Sequence, residues 1–169
     1  MKIRLLTFLL SLNLIVKGQT ISVSGNWIPT VTAITTTGSD YSSSALTSAA
    51  NQTLITAGGL GSLLSIKNYQ ISVSKTNTNW HNNLVLTARR TGTGTPSFLG
   101  LLSASGGTTA QTITNISTAF FTINVSILSL GLGNASISNI PIEYSLSGIS
   151  VILPAKTYST TITYTIVEL

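Results

Sequence analysis

The sequence predicts an all-β protein, an antiparallel β-sandwich of about seven to nine strands in one domain. Apolar and hydroxyl side chains alternate with a period of two along much of the chain, which is typical of half-buried strands. Glycine-rich stretches separate these segments at the spacing of short strands. Threonine and serine are the two most abundant residues, and neither favours a helix interior. Together these observations favour a sandwich.

The first eighteen residues have the features of a secretory signal peptide. Two basic residues, Lys2 and Arg4, precede an apolar run that ends just before Gly18. This run is shorter than the roughly 20 residues that a membrane-spanning helix needs. We therefore expect residues 1–18 to be removed, and residues 19–169 to form a single secreted or cell-surface β-sandwich domain without a membrane span.

Nine segments of the remaining chain show the alternation. The candidate strands are residues 21–24, 28–36, 69–75, 84–89, 111–117, 119–127, 140–147, 149–153 and 157–166. In the last segment, hydroxyl side chains occupy one face and the other face carries Tyr158, Ile162, Tyr164 and Ile166. Only a strand divides the side chains in this way.

Glycine-rich stretches mark the expected connections between strands. They lie at residues 58–61, 91–96, 106–107 and 130–134, and turns are expected there because glycine adopts positive φ angles without steric cost. No helical pattern follows any of them, so a phosphate-binding loop is not expected. The serine-rich residues 41–52 are expected to form a loop.

The chain has few residues that carry catalytic chemistry. Charged residues make up 7% of it, and it contains no cysteine and one histidine, His81. Beyond residue 18 the carboxylates are Asp40, Glu143 and Glu168, and no G-x-S-x-G motif accompanies the histidine. We expect no enzymatic activity, no cofactor and no metal site. Five basic residues remain beyond residue 18 and form no cluster larger than a pair, so nucleic-acid binding is not expected either.

The polar stretch around Trp80 is the one candidate ligand site. An exposed indole can stack on a sugar ring while its neighbours bind the hydroxyl groups. The residues of this possible sugar-binding site are Trp80, His81, Asn79, Asn82 and Asn83. The alternative is that the stretch forms a turn before the strand that starts at Leu84, with Trp80 closing one end of the core.

The C-terminal segment Leu153-Pro-Ala-Lys-Thr-Tyr-Ser-Thr-Thr-Ile-Thr-Tyr-Thr-Ile166 resembles the last strand of a family of secreted bacterial subunits. These are β-sandwich subunits of the spore coat protein U and fimbrial pilin kind. The chain departs from them in lacking a cysteine pair, in placing Lys156 where glycine is common, and in ending without a penultimate aromatic residue. The resemblance implies an immunoglobulin-like sandwich that assembles by donated strands.

These features predict an exported structural subunit of a cell-surface filament or coat, which forms a homo-polymer through strand edges. The residues of the two candidate assembly strands are Thr20, Ile21 and Val23 near the mature N-terminus and Tyr158, Ile162, Tyr164 and Ile166 near the C-terminus. A secreted carbohydrate-binding module or adhesin that recognises a glycan is the alternative function. A small outer-membrane β-barrel is the runner-up architecture.

Overall fold

The computed structural model describes residues 18–32, 45–61, 66–98, 101–126 and 135–169. Within these ranges all regular secondary structure is β-strand, which confirms the all-β prediction. The predicted signal peptide lies outside the described residues, except for Gly18. No helix in the described ranges has the length and apolar character needed to cross a membrane.

Eleven strands form in the described part of the chain, against the seven to nine predicted. Three of the eleven, β2, β6 and β8, are only two residues long, too short to show any alternation in sequence. The strands are β1 Thr20–Ser24, β2 Leu46–Thr47, β3 Thr53–Leu60, β4 Lys67–Asn79, β5 Val85–Arg90, β6 Thr95–Pro96, β7 Leu102–Ser105, β8 Gln111–Thr112, β9 Thr118–Val125, β10 Ala135–Ser147 and β11 Ser159–Glu168.

The strands form two antiparallel sheets. The first sheet has the order β1-β3-β10-β5-β8, with β2 and β6 also paired to β10. The second sheet has the order β11-β4-β9-β7. Among the described strands neither sheet closes on itself, which confirms the sandwich prediction and does not agree with the alternative of a closed barrel.

The core lies between the two sheets and follows the predicted alternation. In β10, Ile140 and Ile142 are fully buried and face the second sheet, where Tyr69, Ile71 and Val73 of β4 are equally buried. Burial of each such side chain contributes about 1.5 to 3 kcal/mol relative to an exposed position. The positions between them face outward and are mostly uncharged, apart from the Arg89–Glu143 ion pair on the first sheet.

Strand β3 occupies a segment that the sequence predicts to be a turn. Its glycines permit close contact with β1: a Cβ atom at Gly58 would lie 2.9 Å from the Thr20 hydroxyl, and one at Gly59 would lie 2.6 Å from the Gly18 carbonyl oxygen. Gly59 also has a positive φ of 66°. Glycine inside a strand often marks such an approach of another backbone. The prediction of a turn at residues 58–61 is therefore wrong, because these glycines serve strand packing.

Several predicted strands are shorter than expected or absent. Residues 28–32 and 149–153 contain no strand, and the predicted strand at 111–117 is reduced to β8. Residues 33–36 lie outside the described part. In β9, Phe120 and Phe121 are both buried although they are neighbours, because the pairing register with β4 shifts at this point.

Candidate functional site

An apolar cleft of about 1010 Å³ opens between the two sheets at one end of the sandwich. Its floor is formed by Leu86, Tyr144 and Leu146 of the first sheet and by Ile162 and Tyr164 of β11. We name it the inter-sheet cleft. Its volume is at the upper end of the range for small-molecule sites in proteins. Its walls are two irregular segments, residues 25–31 and residues 149–158.

The hydroxyl groups on the cleft floor bind each other. The Tyr144 and Tyr164 hydroxyl oxygens lie 2.9 Å apart and share a hydrogen bond between the two sheets. Burial raises the pKa of Tyr144, and hydrogen bonds from Thr53 and Tyr164 partly oppose this rise. Burial also raises the pKa of Tyr164, and the Tyr144 phenol raises it further. Both phenols therefore stay neutral in the folded protein far into the alkaline range.

The Tyr164→Phe variant is expected to have a distinctive pH dependence. Near pH 7 the lost hydrogen bond lowers the free energy of unfolding by about 1 kcal/mol. Above the ordinary tyrosine pKa, however, Tyr164 ionises in the unfolded chain only, so the wild type loses about 1.4 kcal/mol of stability per pH unit through this residue. The variant lacks that loss. Urea unfolding at pH 7, 9, 10.5 and 11 should show the two stabilities converging above pH 10, and parallel curves would contradict the assignment.

The cleft walls are held by an aromatic stack and by close backbone contact. The Trp27 ring stacks on the Tyr144 ring with 6.2 Å between centroids. On the opposite wall, Gly148 has a φ of 78° and its Cα lies so close to Asn83 that a Cβ would come within 1.8 Å of the Asn83 carbonyl oxygen. The hydroxyl of Tyr158 donates a hydrogen bond to the Pro154 carbonyl oxygen. Both walls thus have defined contacts with the strands.

The Trp80 stretch forms the turn between β4 and β5, beside the cleft. The Trp80 indole N–H donates to the Leu84 carbonyl oxygen at 3.0 Å, and its half-buried ring packs against the core. The Lys75 ammonium lies 4.6 Å from the ring centroid. The backbone N–H of Asn83 donates to Nδ1 of His81 at 3.2 Å. Trp80 therefore closes one end of the core, as the alternative interpretation of this stretch expects.

The other members of the predicted sugar site lie on the same turn. The Asn79 amide donates to the Thr157 carbonyl oxygen, and Asn82 and Asn83 are exposed. The His81 ring meets the Tyr158 ring edge-on, with 6.3 Å between centroids. The structure thus brings these residues together and uses several of their polar groups within the turn. Sugar binding at this turn stays a prediction.

The described carboxylates are paired away from the cleft. Glu143 accepts two hydrogen bonds from the Arg89 guanidinium, at 2.7 and 3.2 Å. Glu168 accepts one hydrogen bond from the Lys67 ammonium and another from the Gln19 side-chain amide. Because Gln19 precedes β1, the second hydrogen bond joins the ends of the two sheets opposite the cleft. Among the described residues, no carboxylate forms an ion pair with Lys75 beside the cleft.

The two predicted assembly strands differ in how they present their side chains. In β1, Thr20 and Val23 are exposed and Ile21 is half-buried, and among the described strands β3 is the one partner of β1. In β11, Tyr164 is buried and Ile162 and Ile166 are half-buried, facing the core. Tyr158 precedes β11 and lines the cleft. Both strands are sheet edges, as the assembly hypothesis requires.

The sequence pointed to Trp80 and to the edge strands but missed the inter-sheet cleft. The cleft combines residues from distant segments, and its lining includes the aromatic residues Trp27, Trp80, Tyr158 and Tyr164, which are scattered along the sequence. Comparison of the chain with protein-family models, with curated proteins and with solved structures finds no significant match, so the function is inferred from the cleft and the free edges.

Proposed function

We propose that the protein is an exported, non-enzymatic structural subunit of a cell-surface filament or coat, and that its copies assemble through strand-edge contacts. The observation that carries this proposal is the free edge of β11. This strand has ten residues and pairs with β4 along one side. Among the described residues, no strand pairs with its other side.

The composition of β11 makes its free edge suitable for pairing. Soluble proteins usually protect such an edge with charge, proline or a short strand. From Ser159 to Val167 the strand contains neither a charged residue nor a proline, and its one charge, Glu168, is engaged by Lys67 at the end. The backbone N–H and C=O groups along this side have no strand partner among the described residues, and a strand of another copy could supply one.

The outer face of the second sheet supports side-by-side assembly. Its positions on β11 and β4 carry hydroxyl side chains that lie directly opposite one another, such as Thr163 beside Ser74 and Thr165 beside Ser72. Neutral, β-branched side chains add no charge repulsion and lose little conformational freedom on contact. Copies that pair through β11 would extend this face without bringing like charges together.

A lysine on the edge strand is expected to prevent assembly. The Thr163→Lys variant has a positive charge on the exposed face of β11. When two copies pair, this lysine either faces the same lysine of the other copy or loses its contact with water. The concentration needed for assembly should therefore rise about tenfold or more. The measurement is sedimentation velocity of residues 19–169 over a range of concentrations, together with negative-stain microscopy.

The matched control is Ser74→Lys, which places the same charge on the same outer face but on the central strand β4. This variant should still assemble, because the backbone of β4 is already paired on both sides. A wild-type protein that stays monomeric at all concentrations would refute the proposal. Equal loss of assembly in both variants would instead locate the contact on the sheet face.

A further inference from the structure

The inter-sheet cleft has an interior that suits an alkyl chain. Aliphatic and aromatic side chains dominate its lining, including Leu86, Leu146 and Ile162. Its deepest polar groups, the Tyr144 and Tyr164 hydroxyls, are satisfied by each other. A sugar would need unpaired donors and acceptors at this depth, whereas an apolar ligand needs none. The cleft interior therefore favours a hydrocarbon over a carbohydrate.

The rim of the cleft is positively charged. Lys156 lines the rim, with its ammonium 5.2 Å from the centroid of the Tyr158 ring. Lys75 projects from the inner face of β4 next to Ile162 and contacts the Trp80 ring. Partial burial lowers the pKa of Lys75. A negatively charged group at the rim would stabilise the Lys156 ammonium, and Lys75 adds positive charge beside the Trp80 ring.

We propose that the inter-sheet cleft binds a fatty acid, with the alkyl chain between the two sheets and the carboxylate at the rim beside Lys156. The apolar interior supplies the affinity, since every methylene removed from water contributes about equally. The lysines select for a negative head group. This inference stands apart from the proposed assembly, because the cleft interior is separate from the outer edge of β11.

The direct test compares three single-chain ligands of equal length with the mature chain, residues 19–169. Isothermal titration calorimetry is performed at pH 7.5 with dodecanoate and dodecyltrimethylammonium below their micelle concentrations and with dodecanol below its solubility limit. We expect one-to-one binding of dodecanoate, weaker binding of dodecanol, and the weakest binding of the cation. Absence of dodecanoate binding, or equal binding of the anion and the cation, would overturn the proposal.

Two pairs of substitutions at surface residues test where the ligand binds without disturbing the core, and the first pair introduces a negative charge. Ile28 lines the cleft mouth and is 80% exposed, whereas Ile116 is 74% exposed on a turn outside the cleft. Ile28→Asp should weaken dodecanoate binding about tenfold, because it places a negative charge in the path of the ligand, and Ile116→Asp should leave it unchanged. Equal effects of the two variants would place binding elsewhere.

The second pair removes a single positive charge at either end of the molecule. Lys156→Gln should weaken dodecanoate binding about fivefold and leave dodecanol binding unchanged, since only the anion contacts the charge. Lys67→Gln, at the end opposite the cleft, should change the affinity for neither ligand. A Lys156→Gln variant with unchanged dodecanoate affinity would refute the placement of the carboxylate.

The Thr163→Lys edge variant should bind dodecanoate as the wild type does. Failure of assembly and failure of ligand binding are therefore observed independently.

Discussion

Gly148→Ala is expected to lower the free energy of unfolding by about 3 kcal/mol or more. Two costs combine at this position. The φ of 78° belongs to the left-handed region, where a residue with a Cβ costs about 1 to 2 kcal/mol. In addition, the new methyl group would lie 1.8 Å from the Asn83 carbonyl oxygen, so either the turn before β5 or the end of β10 has to move.

Gly106→Ala is the matched control, because Gly106 has the same φ of 78° and differs only in the space around it. The nearest atom to a Cβ at Gly106 is the Cα of Phe121, at 3.9 Å. This variant should therefore show the backbone cost alone, about 1 kcal/mol. Urea unfolding of both variants measures the difference, and equal losses would mean that the contact with Asn83 is not rigid.

The Gly148 variant also tests how the cleft is built. Gly148 follows directly after β10 and leads the chain into residues 149–158, one wall of the inter-sheet cleft. If this wall shifts, the distance between Trp80 and Tyr158 changes and Trp80 fluorescence should change with it. Because Gly106 lies far from this wall, its variant should keep the wild-type emission spectrum.

The sequence predicted strands where one face is buried and the other is solvated. Strand β11, with Ile162, Tyr164 and Ile166 facing the core, and strand β10 are the plainest cases. The sequence wrongly predicted a turn at the end of β3, where glycines allow close packing of another backbone segment. Gly58 and Gly59 give the same local signal in a strand as in a turn. It also failed at residues 149–153, whose apolar side chains line a cleft without strand pairing.

The candidate site was less predictable than the fold, because a cleft is a property of the arrangement of segments. Trp27 and Tyr144 are more than a hundred positions apart and stack only because β3 lies between β1 and β10 in the first sheet. Trp80 stood out in the sequence for its polar neighbours, yet those neighbours bond mainly within their own turn. Polar composition alone does not distinguish a ligand site from a well-capped turn.

Adjacent arginines at the end of β5 show a similar limit of sequence interpretation. From the sequence alone, a pair of charges at a strand end is interpreted as exposed charge that deters unwanted strand pairing. Arg89 fits a surface position, since its side chain is about half exposed and pairs with Glu143. Arg90 is only 5% exposed, so the interpretation is wrong for this residue. Alternation along β5 places Arg89 and Arg90 on opposite faces and puts Arg90 on the buried face with Leu86 and Ala88. The charge of Arg90 nevertheless favoured an exposed position in the interpretation of the sequence.

Arg90→Met is expected to lower the free energy of unfolding by about 2 to 4 kcal/mol, because it removes two charge-assisted hydrogen bonds that the buried Arg90 side chain makes to partly buried carbonyl groups. The Arg90 guanidinium donates to the Gly106 carbonyl oxygen at 2.9 Å and to the Gly92 carbonyl oxygen at 2.6 Å, and it lies 5.9 Å from the Phe121 ring. These contacts join the loop after β5 to the loop after β7, at the end of the sandwich.

The adjacent Arg89→Met variant is the control for the loss of an arginine at the same strand end. Its effect on the urea midpoint should be clearly smaller and should fade at high salt, because the Arg89 side chain is about half exposed and salt screens its ion pair with Glu143. The Arg90→Met effect should persist at high salt, since its acceptors are neutral carbonyl groups. Arg90→Lys should recover only part of the loss, because an ammonium lacks the planar fork that reaches Gly92 and Gly106 together. Full recovery by lysine, or equal and salt-sensitive losses in the two methionine variants, would show that charge alone matters at Arg90.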